Sequence, residues 1–148
     1  MPDPIGDELW RIEGAWALPG CTRPHLYRDG RQLQLQCFDT NDNFSWENLG
    51  SLTAEAAEQL DMAIAAADFE DTTTVNYKGF CGAADSVGTE TLWVGDRSVS
   101  FATSCPFAGV LAVYEVIDTV SIELSECRDP AMGLATMLAT IEPGCRAY

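Results

Sequence analysis

Basic residues are scarce in this chain: 8 lysines and arginines stand against 23 aspartates and glutamates, a net charge of −15. A nucleic-acid binder needs a cationic footprint for the phosphates, so that class is excluded. Anionic membrane surfaces are disfavoured on the same ground. Histidine is scarcer still, with His25 alone, and one imidazole does not build a histidine-rich metal site. No stretch approaches the roughly 18 consecutive apolar residues of a membrane span. Also missing are C-x-x-C, the close cysteine pairs of structural zinc sites, and the G-x-S-x-G, Walker and G-x-G-x-x-G sequences. Thiol redox, structural zinc, serine-elbow and nucleotide chemistry therefore have no recognisable motif, and no cofactor is expected.

What the chain does have is six cysteines, Cys21, Cys37, Cys81, Cys105, Cys127 and Cys145, no two closer than 16 positions. An even number of widely spread cysteines reads as three disulfides in an oxidising, secreted or periplasmic compartment. Proximity along the chain favours Cys21–Cys37, Cys81–Cys105 and Cys127–Cys145, the last bracketing a final helix. At 148 residues with 47% apolar content, the chain is long enough for a core of its own, so disulfides would add robustness to it. Residues 1–8 read as a polar, proline-containing flexible tail, and 9–148 as a single domain. The start lacks the basic and apolar regions of a secretory signal, so the expectation is a mature form with its leader removed. Ala17-Leu18-Pro19-Gly20-Cys21 has the look of a lipoprotein box, but Arg11 and Glu13 interrupt the apolar run such a box requires.

A first strand is expected within Trp10–Leu18, broken by Gly14. Leu33, Leu35 and Cys37 alternate with Gln32, Gln34 and Gln36, the period of two that marks a half-buried strand. Asp29-Gly30 before it signals a hairpin beginning near His25. With Asp29-Gly30 at the centre of the turn, Leu26 faces Leu33, whereas a three-residue loop sets Cys21 opposite Cys37; one slip changes the face of every side chain. Residues 41–50 read as a loop or short third strand. Thr53 is the expected N-cap of a helix carrying Leu60, Ala63, Ile64 and Ala67, with Glu55 favourable in its first turn. Thr72–Tyr77 is β-branched and aromatic, hence a strand. A loop with Cys81 follows, then a hairpin of Thr91–Val94 and Val99–Ala102. Pro106 is expected to open the longest helix, and Asp129-Pro130 a last one with Leu134, Ala135 and Leu138. These patterns predict an α+β fold: an antiparallel sheet of four or more strands with two or three helices packed on one face, stapled by disulfides.

Candidate chemistry is sparse. His25 reads as a partly exposed strand histidine. Asp39-Thr40-Asn41-Asp42-Asn43 is rich in oxygen ligands, but Phe44 and Gly50 occupy the glycine and glutamate positions of an EF-hand loop. A solvated turn is the better reading, an irregular calcium site the alternative, and no metal is assigned. Trp10, Trp16, Trp46 and Trp93 serve either core packing or a stacking or interface role. The segment with Asp42, Phe44 and Trp46 combines polar groups with two aromatics outside any apolar stripe, so these three are the candidate binding residues, the acids favouring a basic protein partner.

The order of a hairpin, then Leu52-Thr53-x-Glu55-x-x-x-x-Leu60-x-x-x-Ile64-x-x-Ala67-x-Phe69, then strands and a second helix around Val116-Ile117-Asp118, resembles small bacterial envelope domains. Emfourin-like inhibitors of thermolysin-type metalloproteases are among them. The resemblance spans roughly residues 25–124; the six cysteines and the last helix depart from the pattern, and no inhibitory motif carries over. It implies a secreted or periplasmic, non-enzymatic binding domain, a protease inhibitor in its sharpest version. A small secreted hydrolase and a structural envelope component are the alternatives.

Overall fold

The computed structural model describes residues 3–14, 18, 20–82, 88–127, 140–142 and 144–147. Along the chain run β1 (Asp7–Glu13), β2 (Arg23–Asp29), β3 (Gln32–Phe38), β4 (Phe44–Ser51), α1 (Ala54–Ala65), β5 (Thr89–Val94), β6 (Arg97–Ala102), α2 (Leu111–Ser125) and the two-residue β7 (Arg146–Ala147). The strands form one sheet in the order β6-β5-β1-β2-β3-β4-β7, with every neighbouring pair antiparallel. The expected α+β class is thus realised, with more strands than the minimum predicted. Inward residues of the central strands (Trp10, Leu26, Leu35, Leu92) join Leu60 of α1 and Val113, Ile117 and Leu124 of α2 in one buried cluster.

Local chemistry explains the boundaries. Thr53 caps α1, its hydroxyl accepting the Ala56 N–H at 3.1 Å, a contact worth about 1 kcal/mol. Gly50 of β4 lets α2 approach the sheet, because a Cβ there would lie 3.0 Å from Leu124 and 3.2 Å from Ile141. β1 begins at Asp7, inside the expected tail, and the Ile5 amide donates to Gln34 Oε1 at 3.0 Å. Backbone pairing to β2 and a side-chain acceptor on β3 thus extend the ordered sheet upstream of residue 9.

The β2–β3 hairpin takes neither expected register. Asp29 pairs with Gln32, so Gly30 and Arg31 are the central residues, and Leu26 lies opposite Leu35. Gly30 adopts φ 58°, supplying positive φ first at the turn's centre. This third register satisfies both competing demands: the leucines match, and Cys21 reaches Cys37 from a bend beyond the strand, where Leu18 and Cys21 exchange backbone hydrogen bonds. All three disulfides join the pairs expected from proximity, with Cα–Cα separations of 5.6, 4.9 and 5.7 Å. Loops of this length correspond to about 3 kcal/mol each in the chain-entropy picture.

Other expectations are corrected. Thr72–Tyr77 forms no named strand; Thr74 makes one isolated bridge with Phe107. Its partner segment contains Pro106, which lacks the N–H needed to prolong a ladder. α2 starts at Leu111 rather than at Pro106, after a short 3₁₀ turn over Ala108–Val110. Of the two readings of residues 41–50, loop or short third strand, the structure takes the strand, eight residues long between β3 and β7. β1 ends at Glu13, with Gly14 at φ 80°. Trp16 and the last helix expected after Asp129 lie outside the described residues.

Candidate functional site

Both helices contribute to the core on one face of the sheet; on the opposite face Gln34, Gln36 and Glu47 of β3 and β4 are also buried, so strand side chains can meet a ligand there chiefly along β1 and β2. Cross-strand partners share a face. Arg11 is paired with His25, Glu8 with Tyr27, and His25 with Gln36, which makes these residues neighbours on the face opposite Leu26 and Leu35. The alternation that buries Leu26 therefore exposes Arg23, His25 and Tyr27 in part.

Opposite charges clamp one another there. Arg11 donates from Nε and Nη2 to the two Glu8 oxygens at 2.7 and 2.6 Å, and its Nη1 lies 3.3 Å from Glu13. His25 Nδ1 lies 3.2 Å from Glu8 Oε1, and Arg23 Nη1 pairs with Asp42 Oδ1 at 2.6 Å. The Arg11 guanidinium also sits 5.1 Å from the centre of the Trp93 ring. Burial pushes the Glu8 carboxyl up, but the hydrogen bonds it accepts from His25 and Arg11, reinforced by their charges, outweigh it and hold the group below its ordinary value. Arg11 is pushed up chiefly by its hydrogen bonds to Glu8.

Between these pairs lies a groove of about 380 Å³ lined by Arg11, Glu13, Arg23, His25, Phe38 and Asp42. Aromatic rings continue along it: His25 meets Phe38 edge-on at 4.9 Å, and Phe38 meets Phe44 at 6.1 Å. The turn feeding β4 is set by Asp39, whose carboxylate accepts the Asn41 and Asn43 amides at 2.8 and 3.0 Å. Those bonds hold Asp39 below its ordinary value, the one from Asn43 most strongly. Asp42 takes φ 61° in this turn, and its carboxylate closes the groove.

The structure does not bring the three candidate binding residues together. Phe44 pairs with Phe38, whereas Trp46 pairs with Cys37, and the register shifts between them. This β-bulge puts two aromatics two residues apart against opposite faces. Asp42 and Phe44 border the groove; Trp46 packs against the core and donates its indole N–H to Gly20 O at 3.1 Å, beside the Cys21–Cys37 bridge. The groove residues not singled out from sequence are Arg11, Glu13, Arg23 and Phe38. Their signal was present in the alternation Arg23-x-His25-x-Tyr27, whose apolar complement is Leu26.

A second titratable centre is enclosed. Glu90, 1% exposed, accepts the Trp10 indole N–H at 2.8 Å, the Tyr114 hydroxyl at 2.8 Å and the Ser104 amide at 2.9 Å. Burial pushes Glu90 above its ordinary value against these three bonds, and burial beside Glu90 also pushes Tyr114 up. Its position joins β1, β5, α2 and the turn before Cys105, a structural role with no opening to a ligand. Among the described residues no cluster of histidine, cysteine, aspartate and glutamate has the grouping of a metal site, and no helix is long and apolar enough to cross a membrane.

No family model matches the chain, and neither a curated protein nor a solved structure is significantly similar to it.

Proposed function

We propose that this protein is a secreted or periplasmic, non-enzymatic binding domain that docks another protein, with protease inhibition as the sharpest form of the reading. The observation that supports it is the groove on the sheet face opposite the helices, with clamped charges on its walls and Phe38 packed against Phe44, mounted on four hydrogen-bonded strands. Paired ions and half-buried rings held on a rigid sheet suit recognition, since little ordering remains to be done on contact. Acids outnumber guanidiniums there, Glu8, Glu13 and Asp42 against Arg11 and Arg23, and the whole chain carries −15, so a basic partner is favoured. Three disulfides support an oxidising compartment.

Affinity capture from the native secretome tests the reading, using wild type, Phe44→Ala and Asp42→Asn. The expected result is a basic protein retained by wild type, released by raised salt and weakened by both variants. Capture of the same proteins by all three forms would remove the groove from the proposal. Inhibition of a thermolysin-type metalloprotease, measured alongside, tests the emfourin-like version.

A further inference from the structure

The two edges of the sheet are finished differently. β4 is covered by β7, which follows directly on Cys145 and its bridge to Cys127. β6 has β5 on one side and, among the described residues, no strand on the other. Its register to β5 runs from Val94↔Arg97 to Thr89↔Ala102 without a bulge. Edge strands are usually guarded by lysine, proline, a bulge or a covering segment. β6 contains neither lysine nor proline, and Ser98, Ser100 and Ala102 are exposed.

The turn shows which backbone groups are free. Gly95 and Asp96 form a two-residue connection, with Gly95 at φ 66°. Such a turn is closed by a pair that exchanges both backbone hydrogen bonds, and bonded and non-bonded pairs alternate from there. Arg97, Val99 and Phe101 therefore direct their N–H and C=O groups at β5. Thr103 continues that set, donating to Gly88 O at 3.1 Å. Ser98, Ser100 and Ala102 direct theirs outward. Among the described residues Ser98 and Ser100 make no backbone bond beyond the ladder, and Ala102 O accepts the Cys105 amide at 2.9 Å.

We propose that β6 is the interface of a homodimer, in which two copies pair antiparallel about a two-fold axis at Ser100 and join their sheets. The strand is complementary to itself in that register. Centring on Ser100 sets Ser98 against the second copy's Ala102 and Ser100 against its own counterpart, so every outward residue gains a partner. Moving the centre by one residue sets Ala102 against the Asp96 turn, or Ser98 against Ser104. The side chains agree with the backbone. Val99 lies opposite Leu92 on the helix side, where it is half-buried and would meet the second copy's Phe101. On the other side only Ser98, Ser100 and Ala102 face one another, so nothing bulky keeps the strands apart. The strand's one charge, Arg97, lies outside the paired segment, its guanidinium 4.0 Å from the centre of the Phe69 ring. In a chain of net charge −15 this edge carries no acid, which makes it a place where two copies can approach. A strand from another protein would meet the same backbone groups, but the two-fold match and the neutral edge favour a second copy. The axis stands perpendicular to the sheet, so both grooves face the same way, roughly 25–35 Å apart at ~4.8 Å per strand. The dimer itself does not rest on the groove's reading as a binding site.

Sedimentation of the full-length oxidised protein across roughly 1–500 µM tests it, because one strand pair is a small interface and association in the micromolar range is expected. Raising salt from about 50 to 500 mM should tighten the dimer, since the two copies repel through their net charge. Amide exchange at Ser98, Ser100 and Ala102 should slow as concentration rises. Ser100→Lys sets two ammonium groups face to face and should raise the dissociation constant about tenfold or more, with the far-UV spectrum unchanged. The substitution reduces the net negative charge, so weakening would be a local effect of the pairing. A monomer at every concentration and salt would overturn the proposal and leave the edge to a strand of another protein. A dimer in which those three amides exchange as freely as in the monomer, or one that Ser100→Lys leaves equally tight, would place the interface elsewhere and overturn it too.

Discussion

Glu8 and Glu90 sit on opposite faces of the same sheet, and three donor contacts converge on each carboxylate. Glu8 is met by two Arg11 nitrogens and His25 on the open face, Glu90 by an indole, a phenol and a backbone amide in the core. Their ordinary value is the same, 4.5, yet Glu8 is held below it and Glu90 is pushed above it. The same number of partners therefore gives opposite results. Guanidinium beside a partly hydrated carboxylate stabilises the charge it answers, whereas neutral donors in a dry site do not offset the loss of water.

The largest effect that sharpens this contrast is the removal of each carboxylate. Glu90→Ala leaves three buried donors unpaired and should destabilise by about 3–5 kcal/mol in denaturant unfolding, with Glu90→Gln less costly. Glu8→Ala, on the open face, should cost about 1 kcal/mol or less. Equal costs would break the comparison.

The split between Trp46 and Phe44 comes next. Trp46 packs on the core and holds Gly20 O, so Trp46→Ala should lower stability by about 2–3 kcal/mol. Phe44→Ala loses an edge-on contact with Phe38 and should cost about 1 kcal/mol. Matching thermal melts would place both rings in the same environment and contradict the bulge.

Acid distinguishes the two carboxylates by sign. Glu8 has a lowered folded-state value, so its contribution is present above 4.5 and is lost as pH falls through the lower folded value. Glu90 has a raised one, so its favourable contribution is present below 4.5 and is lost as pH rises through the raised value. Melting temperatures across this range should therefore show wild type losing its advantage over Glu8→Gln on acidification and improving relative to Glu90→Gln. Parallel curves for the two variants would contradict the opposed shifts. The smallest effect expected is at Asp42, whose side chain is 74% exposed: Asp42→Asn should change stability by about 0.5 kcal/mol or less while altering capture of a basic partner.

Periodicity and spacing reached far in this chain because the relevant physics is local. The Thr53 cap and the pairing of cysteines by proximity along the chain both rest on short separations, and the structure bears them out. The alternation of Leu33, Leu35 and Cys37 does give a strand, but one buried on both faces, since Gln34 and Gln36 are covered too. Thr72–Tyr77 shows where such reasoning fails. Its β-branched composition suits a strand, but a ladder needs a partner with a full set of donors, and the segment beside it contains Pro106.

By itself the sequence determined the α+β class and the cap of α1, and it favoured the three disulfide pairs that the structure forms. These follow from side-chain period, a hydroxyl three residues from its amide and short chain separations. Only the tertiary structure decided the Gly30-Arg31 register, the bulge that separates Phe44 from Trp46, the Arg11–Glu8–His25 clamp and the burial of Glu90. Each depends on which strand lies beside which, and β5 reaches β1 across nearly 80 residues of chain. No local pattern encodes that pairing, because the free energy that selects it comes from closing one core around Trp10, Leu92 and α2 at once.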